Sequence, residues 1–355
     1  MRTGMRSVWA RGARLRRTAL TQAVEAFRAG LFMMLRAAAL MLPRSWAYAL
    51  ASAVGSLLAA SPIGMRARKG MRATFPGQQI DDLVADWLGR PFRDHVNAVR
   101  IAARLERSRE WTIDMRGAPE LLNDPRQSFI MATGHFSREA MSCIYMPWIL
   151  KRPLATVIAP MTEAKTPRGL RVRLQMREMV NGIRAMREGD VDIAEVAGSS
   201  FLVRLLRHLR EPGGAVVIAS DASWGAGKGD GVTRPFAGYA SQAFAVGTAR
   251  LARLSQTPIV TCVPFLVSDR HIVMEWSPVI PAPDRNDTDA DVRITNEILD
   301  WIERRIGERP DQYVLSFGAE RRWSSVAHCW GDDLQASNDS ARAPAAPDRT
   351  AKSAS

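Results

Sequence analysis

Between Ser128 and Ile306 the chain alternates short apolar runs with longer stretches of helical character. Ser128–Thr133 (SFIMAT) is a continuous apolar run closed by Gly134-His135, the pattern of a buried strand running into a loop. Similar runs lie at Leu154–Ile158, Ala215–Ala219, Ile259–Phe265 and His271–Trp276. Helical patterns separate them at Arg138–Leu150, Leu170–Met186, Phe201–Leu209, Ala243–Leu254 and Thr295–Ile306. Strands alternating with helices in this way predict a layered α/β domain, because each helix has one apolar stripe to bury on a sheet.

Upstream the chain changes character. Residues 1–20 hold six arginines and no acid. Two apolar stretches follow, Ala29–Leu42 and Trp46–Ile63, interrupted by Pro43-Arg44. The second is 18 residues long and uncharged, about the minimum for a membrane span, but it is rich in Ala, Gly and Ser. A basic arm ahead of apolar helices predicts attachment to a membrane surface. The helices are expected to lie in the cytoplasmic leaflet, with one true span or buried soluble helices as the alternatives. Charged amphipathic sequence then predicts helices over Ile80–Arg90 and His95–Arg109. The organisation expected is a basic arm at 1–28, membrane-associated helices at 29–63, an α/β domain at 64–335 and a disordered tail at 336–355.

Charge narrows the partners. With 49 Lys and Arg against 36 Asp and Glu, the net charge is +13, which calls for an anionic partner. No zinc-finger spacing or clear helix-turn-helix signal accompanies it, so a negatively charged membrane is expected and nucleic acid is not. Cys143, Cys262 and Cys329 are far apart, with no paired metal-ligand spacing and no disulfide framework.

His135 is the catalytic candidate. It stands where a buried strand gives way to a loop, a common place for active-site residues in open α/β sheets. A base for acyl transfer needs a nitrogen that titrates near neutrality and an acceptor that fixes its tautomer. Glu139, four residues on, would share a helical face with it and could orient the ring. The plainer alternative is a histidine that caps the helix or packs under the loop. Oxyanion donors are expected from backbone N–H groups around Gly134–Phe136, or from Arg138.

Several segments together resemble the bacterial lipid A late acyltransferases, the lauroyl and myristoyl transferases, and more distantly the glycerolipid acyltransferases. Gly134-His-Phe resembles the opening of their first motif. Val216-Val-Ile-Ala-Ser-Asp221 followed by Gly225 looks like their strand ending in an aspartate, and Arg234-Pro-Phe-Ala-Gly238 like a segment beyond it. Ala245–Ala252, Thr257–Val260, Pro310–Tyr313 with Arg321-Arg322, and Met71–Pro76 resemble further blocks in the same order.

The resemblance implies a mixed β-sheet flanked by helices, with an apolar groove beside the histidine. It implies transfer of an acyl chain from acyl carrier protein or coenzyme A to a hydroxyl of a glycolipid or phospholipid acceptor, a lipid A precursor foremost. It places the reaction at the cytoplasmic face of the inner membrane, with no metal or organic cofactor. Catalysis would rest on His135 and Glu139. Independently of the resemblance, guanidinium chemistry makes Arg173, Arg177 and Arg234 candidates to hold substrate phosphates, with solvated surface arginines as the alternative, and Arg138 a substrate-binding candidate; Asp221 would order a loop or pair with one of the three rather than move a proton.

The chain departs from the family pattern in three places. The family places an acid five residues after the histidine, where this chain has Ala140, and Glu139 is one step early. The closing block reads Val314–Glu320 before Arg321, and Ser220-Asp221-Ala222 lacks the usual residue after the aspartate. A shifted acid also admits an inactive, lipid-binding scaffold as the alternative reading. Should Glu139 not serve, Asp221 and Glu195 are the next acids to consider.

Overall fold

The computed structural model describes residues 29–105, 111–136, 152–158, 192–195, 200–221, 231–268, 270–313, 323–324 and 329–330, with isolated positions at 23, 26, 27 and 177. It is a mixed α/β fold in which helices flank a sheet. Four helices come first: α1 (Ala29–Met41), α2 (Arg44–Ala59), α3 (Pro62–Thr74) and α4 (Ile80–Ala102). The break between α2 and α3 is written in Ser61-Pro62. Proline cannot continue α2, but its fixed φ suits the first turn of a new helix, and the Ser61 hydroxyl accepts the Ile63 N–H at 3.1 Å as a cap. The apolar stretch Trp46–Ile63 is therefore not one rod: α2 and α3 meet at 79°. Among the described residues no single helix is long and apolar enough to cross a membrane, although this bent pair is so by length and composition.

The two helices expected over Ile80–Arg90 and His95–Arg109 are one continuous helix, α4, with Pro91 inside it. Proline there removes one helical hydrogen bond. The Arg93 guanidinium donates to the Asp86 carbonyl at 3.0 Å and to its carboxylate at 2.6 Å, tying the two sides of the proline together. α2 crosses α4 very closely. A Cβ on Gly55 would lie 2.5 Å from the Gly89 Cα and 2.7 Å from the Ala85 oxygen, so the backbones touch because Gly55 has no side chain.

A seven-stranded sheet follows, in the order β1 (Thr112–Arg116), β9 (His271–Trp276), β8 (Ile259–Ser268), β2 (Phe129–Thr133), β5 (Ala215–Ala219), β3 (Leu154–Ile158), β4 (Asp192–Glu195). Every neighbouring pair is parallel except β8–β9, so the sheet is mixed. β2 is central and fully buried. Its Ile130 and Ala132 face a core shared with α5 (Ser200–Arg210), α6 (Gly247–Ser255) and α7 (Ala290–Glu308), while Phe129 and Met131 face a second core. Two covered faces explain why this strand reads as an unbroken apolar run. Cys262 sits in that second core with no exposure, and burial pushes its thiol well above the ordinary range. The Cys262 thiol should therefore resist alkylation until the protein unfolds, measurable by peptide mapping; rapid labelling of the native protein would contradict this packing.

The hairpin β6 (Gly231–Phe236) and β7 (Tyr239–Ala245) stands apart from the main sheet. The helix expected over Ala243–Leu254 is shorter, because Ala243–Ala245 belong to β7 and the helix begins at Gly247. A tight turn with positive φ at Ala237 and Gly238 closes the hairpin and sets that register. A Cβ on Gly238 would meet the Thr74 hydroxyl at 2.2 Å, so the turn rests directly on the end of α3. A short pair, β10 (Trp323–Ser324) and β11 (Cys329–Trp330), completes the described strands.

Candidate active site

His135 lies two residues beyond the end of β2, and Asp221 two residues beyond the end of β5. The strands are parallel neighbours with Thr133 opposite Ala219, so strand register alone delivers the two side chains to the same spot at the carboxyl edge of the sheet. There Asp221, fully buried, grips His135 with both carboxylate oxygens. Oδ2 accepts the His135 backbone N–H at 2.7 Å, and Oδ1 lies 2.5 Å from the ring Nδ1. The His135 side chain keeps 20% of its surface. A carboxylate on Nδ1 holds the proton there and leaves Nε2 as the basic nitrogen of the neutral ring.

The loops are built to hold this pair. The Phe136 N–H returns to the Gly134 carbonyl at 2.8 Å, a three-residue turn with His135 at its apex. A side chain at position 134 would meet Ile302 at 2.9 Å and the Phe136 ring at 3.0 Å, so only glycine fits without displacement. Phe136 is buried, packs edge-on against Phe265, and forms a β-bridge with Tyr313. The Tyr313 carbonyl in turn accepts the Trp87 indole N–H of α4 at 2.5 Å. On the Asp221 side, the Ser220 N–H donates to the Thr133 carbonyl at 2.8 Å, and the Ser220 hydroxyl bonds that of Thr248 at 3.0 Å. The Gln242 amide reaches the Asp221 carbonyl at 3.4 Å.

The other expected site residues are distributed differently. Arg138, Glu139 and Arg173 lie outside the described residues; Arg177 is helical and exposed. Arg234, expected to hold a substrate phosphate, instead contacts Asp300 at 2.6 Å and Glu303 at 2.9 Å on α7, and Glu303 also takes the Ala237 N–H. Its guanidinium ties the hairpin to α7. Asp221 was expected to order a loop or hold an arginine, and it is His135 that it holds. Glu195 ends β4, three strands from β2; at about 4.8 Å per strand that is roughly 14 Å from the line of His135. Of the backbone donors expected for an oxyanion, those of His135 and Phe136 are already engaged by Asp221 and Gly134. Gln242, Thr248 and Tyr313 support the site and were not read from the sequence, since each acts through a long-range contact. Among the described residues no group of His, Cys, Asp and Glu is placed to hold a metal.

Comparison with known proteins decides the family. The model for the bacterial lipid A biosynthesis acyltransferases matches residues 17–323, most of the chain. The chain belongs to that family. It is therefore an acyl-transferring enzyme, with an acyl donor and an acyl acceptor as its two substrates. A search of the curated proteins finds no match. Among solved structures, the 1-acyl-sn-glycerophosphate (LPA) acyltransferase PlsC from Thermotoga maritima is similar at 11% identity and a TM-score of 0.34, covering 75% of this chain and 97% of that one. A likeness of that size says nothing about substrate. A buried carboxylate holding an imidazole is an arrangement that can move a proton.

Proposed function

We propose that this acyltransferase moves a fatty acyl group from a thioester of acyl carrier protein or coenzyme A to a hydroxyl of a lipid or glycolipid, a lipid A precursor being the foremost candidate. His135 is the general base and Asp221 the residue that orients it. Nε2 takes the proton from the acceptor hydroxyl as the oxygen attacks the acyl carbonyl. The tetrahedral oxyanion then collapses, the C–S bond breaks, and the departing thiolate takes the proton back from Nε2. Asp221 keeps Nδ1 protonated and offsets the imidazolium charge between the two proton transfers. Glu139 is assigned a supporting role on the same ring, and Arg138, Arg173 and Arg177 the steadying of substrate or oxyanion charge. The observation that carries this reading is the two-point grip of a fully buried Asp221 on His135 in a chain of this family. The test is incubation of the purified protein with acyl carrier protein and coenzyme A thioesters and a panel of lipid acceptors, with mass analysis of products. The expected result is an ester and one equivalent of free thiol. Thioester hydrolysis without any acylated acceptor would contradict it.

The same reading places the protein on the cytoplasmic face of the inner membrane, held by its first three helices. Met41, Trp46 and Leu57 are 76%, 69% and 73% exposed, and Met33, Met34, Ile63 and Met65 are exposed beside them. α2 buries Arg44, Ala47, Ala51, Gly55 and Ala59 and packs Tyr48, Leu50, Val54 and Leu58 partly beside them, which leaves Trp46 and Leu57 outside. Large outward apolar groups with small buried ones suit a helix lying at a lipid surface. Burying three such side chains in lipid contributes on the order of 5 kcal/mol. Replacing Met41, Trp46 and Leu57 together by serine should therefore shift the protein from the membrane pellet toward the soluble fraction, with the fold kept. An unchanged distribution on membrane fractionation would remove these helices as the anchor.

A further inference from the structure

A cleft of about 320 Å3 opens where α2, α4 and the end of β8 meet, lined by Ser52, Asp86, Arg90, Arg93, Leu266 and Val267 among others. β8 runs parallel to β2, so its last residues lie at the carboxyl edge that carries His135. Leu266 follows Phe265, whose ring packs on Phe136. Asp311, which touches Arg90 at 3.3 Å, lies two residues before Tyr313, the bridge partner of Phe136. The cleft thus lies at the same carboxyl edge of the sheet as the candidate active site.

Its chemistry is set by two nearly buried arginines, whose side chains retain 7% and 8% of their surface. Arg93 is well used, with Nη2 on the carbonyl and carboxylate of Asp86 and Nη1 3.5 Å from Ser52 Oγ. Arg90 is not. Both of its contacts, to Asp86 and Asp311, run through Nη2, and its buried Nε has no partner among the described residues. A clamp joining α4 to the Pro310–Gln312 turn accounts for Nη2 alone. It leaves unexplained the buried Nε, a donor whose burial is costly unless something accepts from it. Burial also lifts the Asp311 carboxyl above its ordinary range against the pull of Arg90. A guanidinium fork beside a hydroxyl, with Leu266 and Val267 as an apolar wall, matches a phosphate attached to an alkyl or sugar group.

We propose that this cleft is a phosphate-binding site, with Arg90 and Arg93 as its donors, and that it seats the phosphorylated part of an amphiphilic substrate while His135 works on that substrate's reacting end. The proposal rests on the acyl-transfer reading for the substrate, but the site stands or falls by binding alone. The phosphate is either that of the acceptor's headgroup or that of the donor's pantetheine arm.

The test uses the full chain in a neutral maltoside detergent, with dodecyl phosphate and coenzyme A as separate probes followed by 31P line broadening. Arg90→Lys keeps a charge for Asp86 and Asp311 but removes the fork, and should weaken dodecyl phosphate at least tenfold. Val267→Trp starts from a side chain that is 52% exposed. It fills the mouth of the cleft without touching the ion pairs, so it serves even if Arg90→Lys does not fold. Loss of dodecyl phosphate with coenzyme A unchanged assigns the site to the acceptor headgroup; loss of coenzyme A assigns it to the donor. Both probes binding Val267→Trp as they bind the wild type overturns the proposal. His135→Ala separates the two readings: it should bind dodecyl phosphate normally, so absent turnover with phosphate binding intact counts against the catalytic account only.

Discussion

Asp221→Asn should leave a folded, membrane-associated protein whose turnover falls by about 10²–10⁴-fold, the span typical of a lost general base. The size follows from the two-point grip. Both oxygens of Asp221 accept from His135, one from the backbone N–H and one from the ring. An amide offers one acceptor and one donor, so asparagine cannot satisfy both. If its oxygen keeps the backbone N–H, its NH2 faces Nδ1 and forces the proton to Nε2, where the ring can no longer act as a base. If its oxygen keeps Nδ1, a buried backbone donor faces another donor, at a cost of about 1–3 kcal/mol. Either way the chemistry suffers more than binding does, and kcat should fall with little change in the affinity for substrate. His135→Ala should cost at least as much. The double variant should be little worse than the worse single one, because a pair acting as one unit is not additive. Single-turnover kinetics with an acyl thioester checks this; independent, multiplying losses would show that Asp221 acts on something other than His135.

The second large effect is structural and has an unusual sign. Glycine to alanine inside a helix is ordinarily stabilising by about 1 kcal/mol. At Gly55 it should destabilise, since the new methyl would lie 2.5 Å from the Gly89 Cα and 2.6 Å from its nitrogen, and backbone cannot step aside. Forcing α2 and α4 apart costs about 1–3 kcal/mol as overpacking. For a chain of this size that is a melting temperature lower by roughly 1–4 °C. Gly89→Ala is the control. Its methyl would meet only the tip of Arg93 at 3.0 Å and the Gly55 Cα at 3.5 Å, so it should be near neutral. Thermal melts of the two variants should therefore differ clearly, and equal melting temperatures would mean that the helices do not cross as closely as described.

How much of this was legible in the sequence depends on how local each signal is. The central strands were readable because β2, β5 and the first part of β8 are buried on both faces and so appear as apolar runs. β6 and β7 were not. GVTRPF carries a proline and an arginine, and YASQAFA lacks β-branched residues, so their pairing comes from the Ala237-Gly238 turn rather than from composition. The two helices expected over Ile80–Arg90 and His95–Arg109 merge through Pro91 into α4, because contacts with α2 and the Asp86–Arg93 pair outweigh one lost hydrogen bond. His135 was legible from its place at a strand end. Its partner was sought four residues away because local spacing reveals only helical neighbours, whereas Asp221 is 86 residues distant. Two apolar runs, each followed two residues later by a polar group, held the clue. Using it required knowing that β2 and β5 are adjacent, which is a property of the whole sheet.

The most direct test of the central claim is the proton position on the His135 ring, read by 15N NMR of the histidine-labelled protein, with His135→Ala to assign the signal. The account predicts that the neutral ring carries its proton on Nδ1, with Nε2 basic, and that Asp221→Asn abolishes or reverses this preference. A wild-type neutral ring protonated at Nε2 would contradict it, because such a ring could not take the proton of an acceptor hydroxyl.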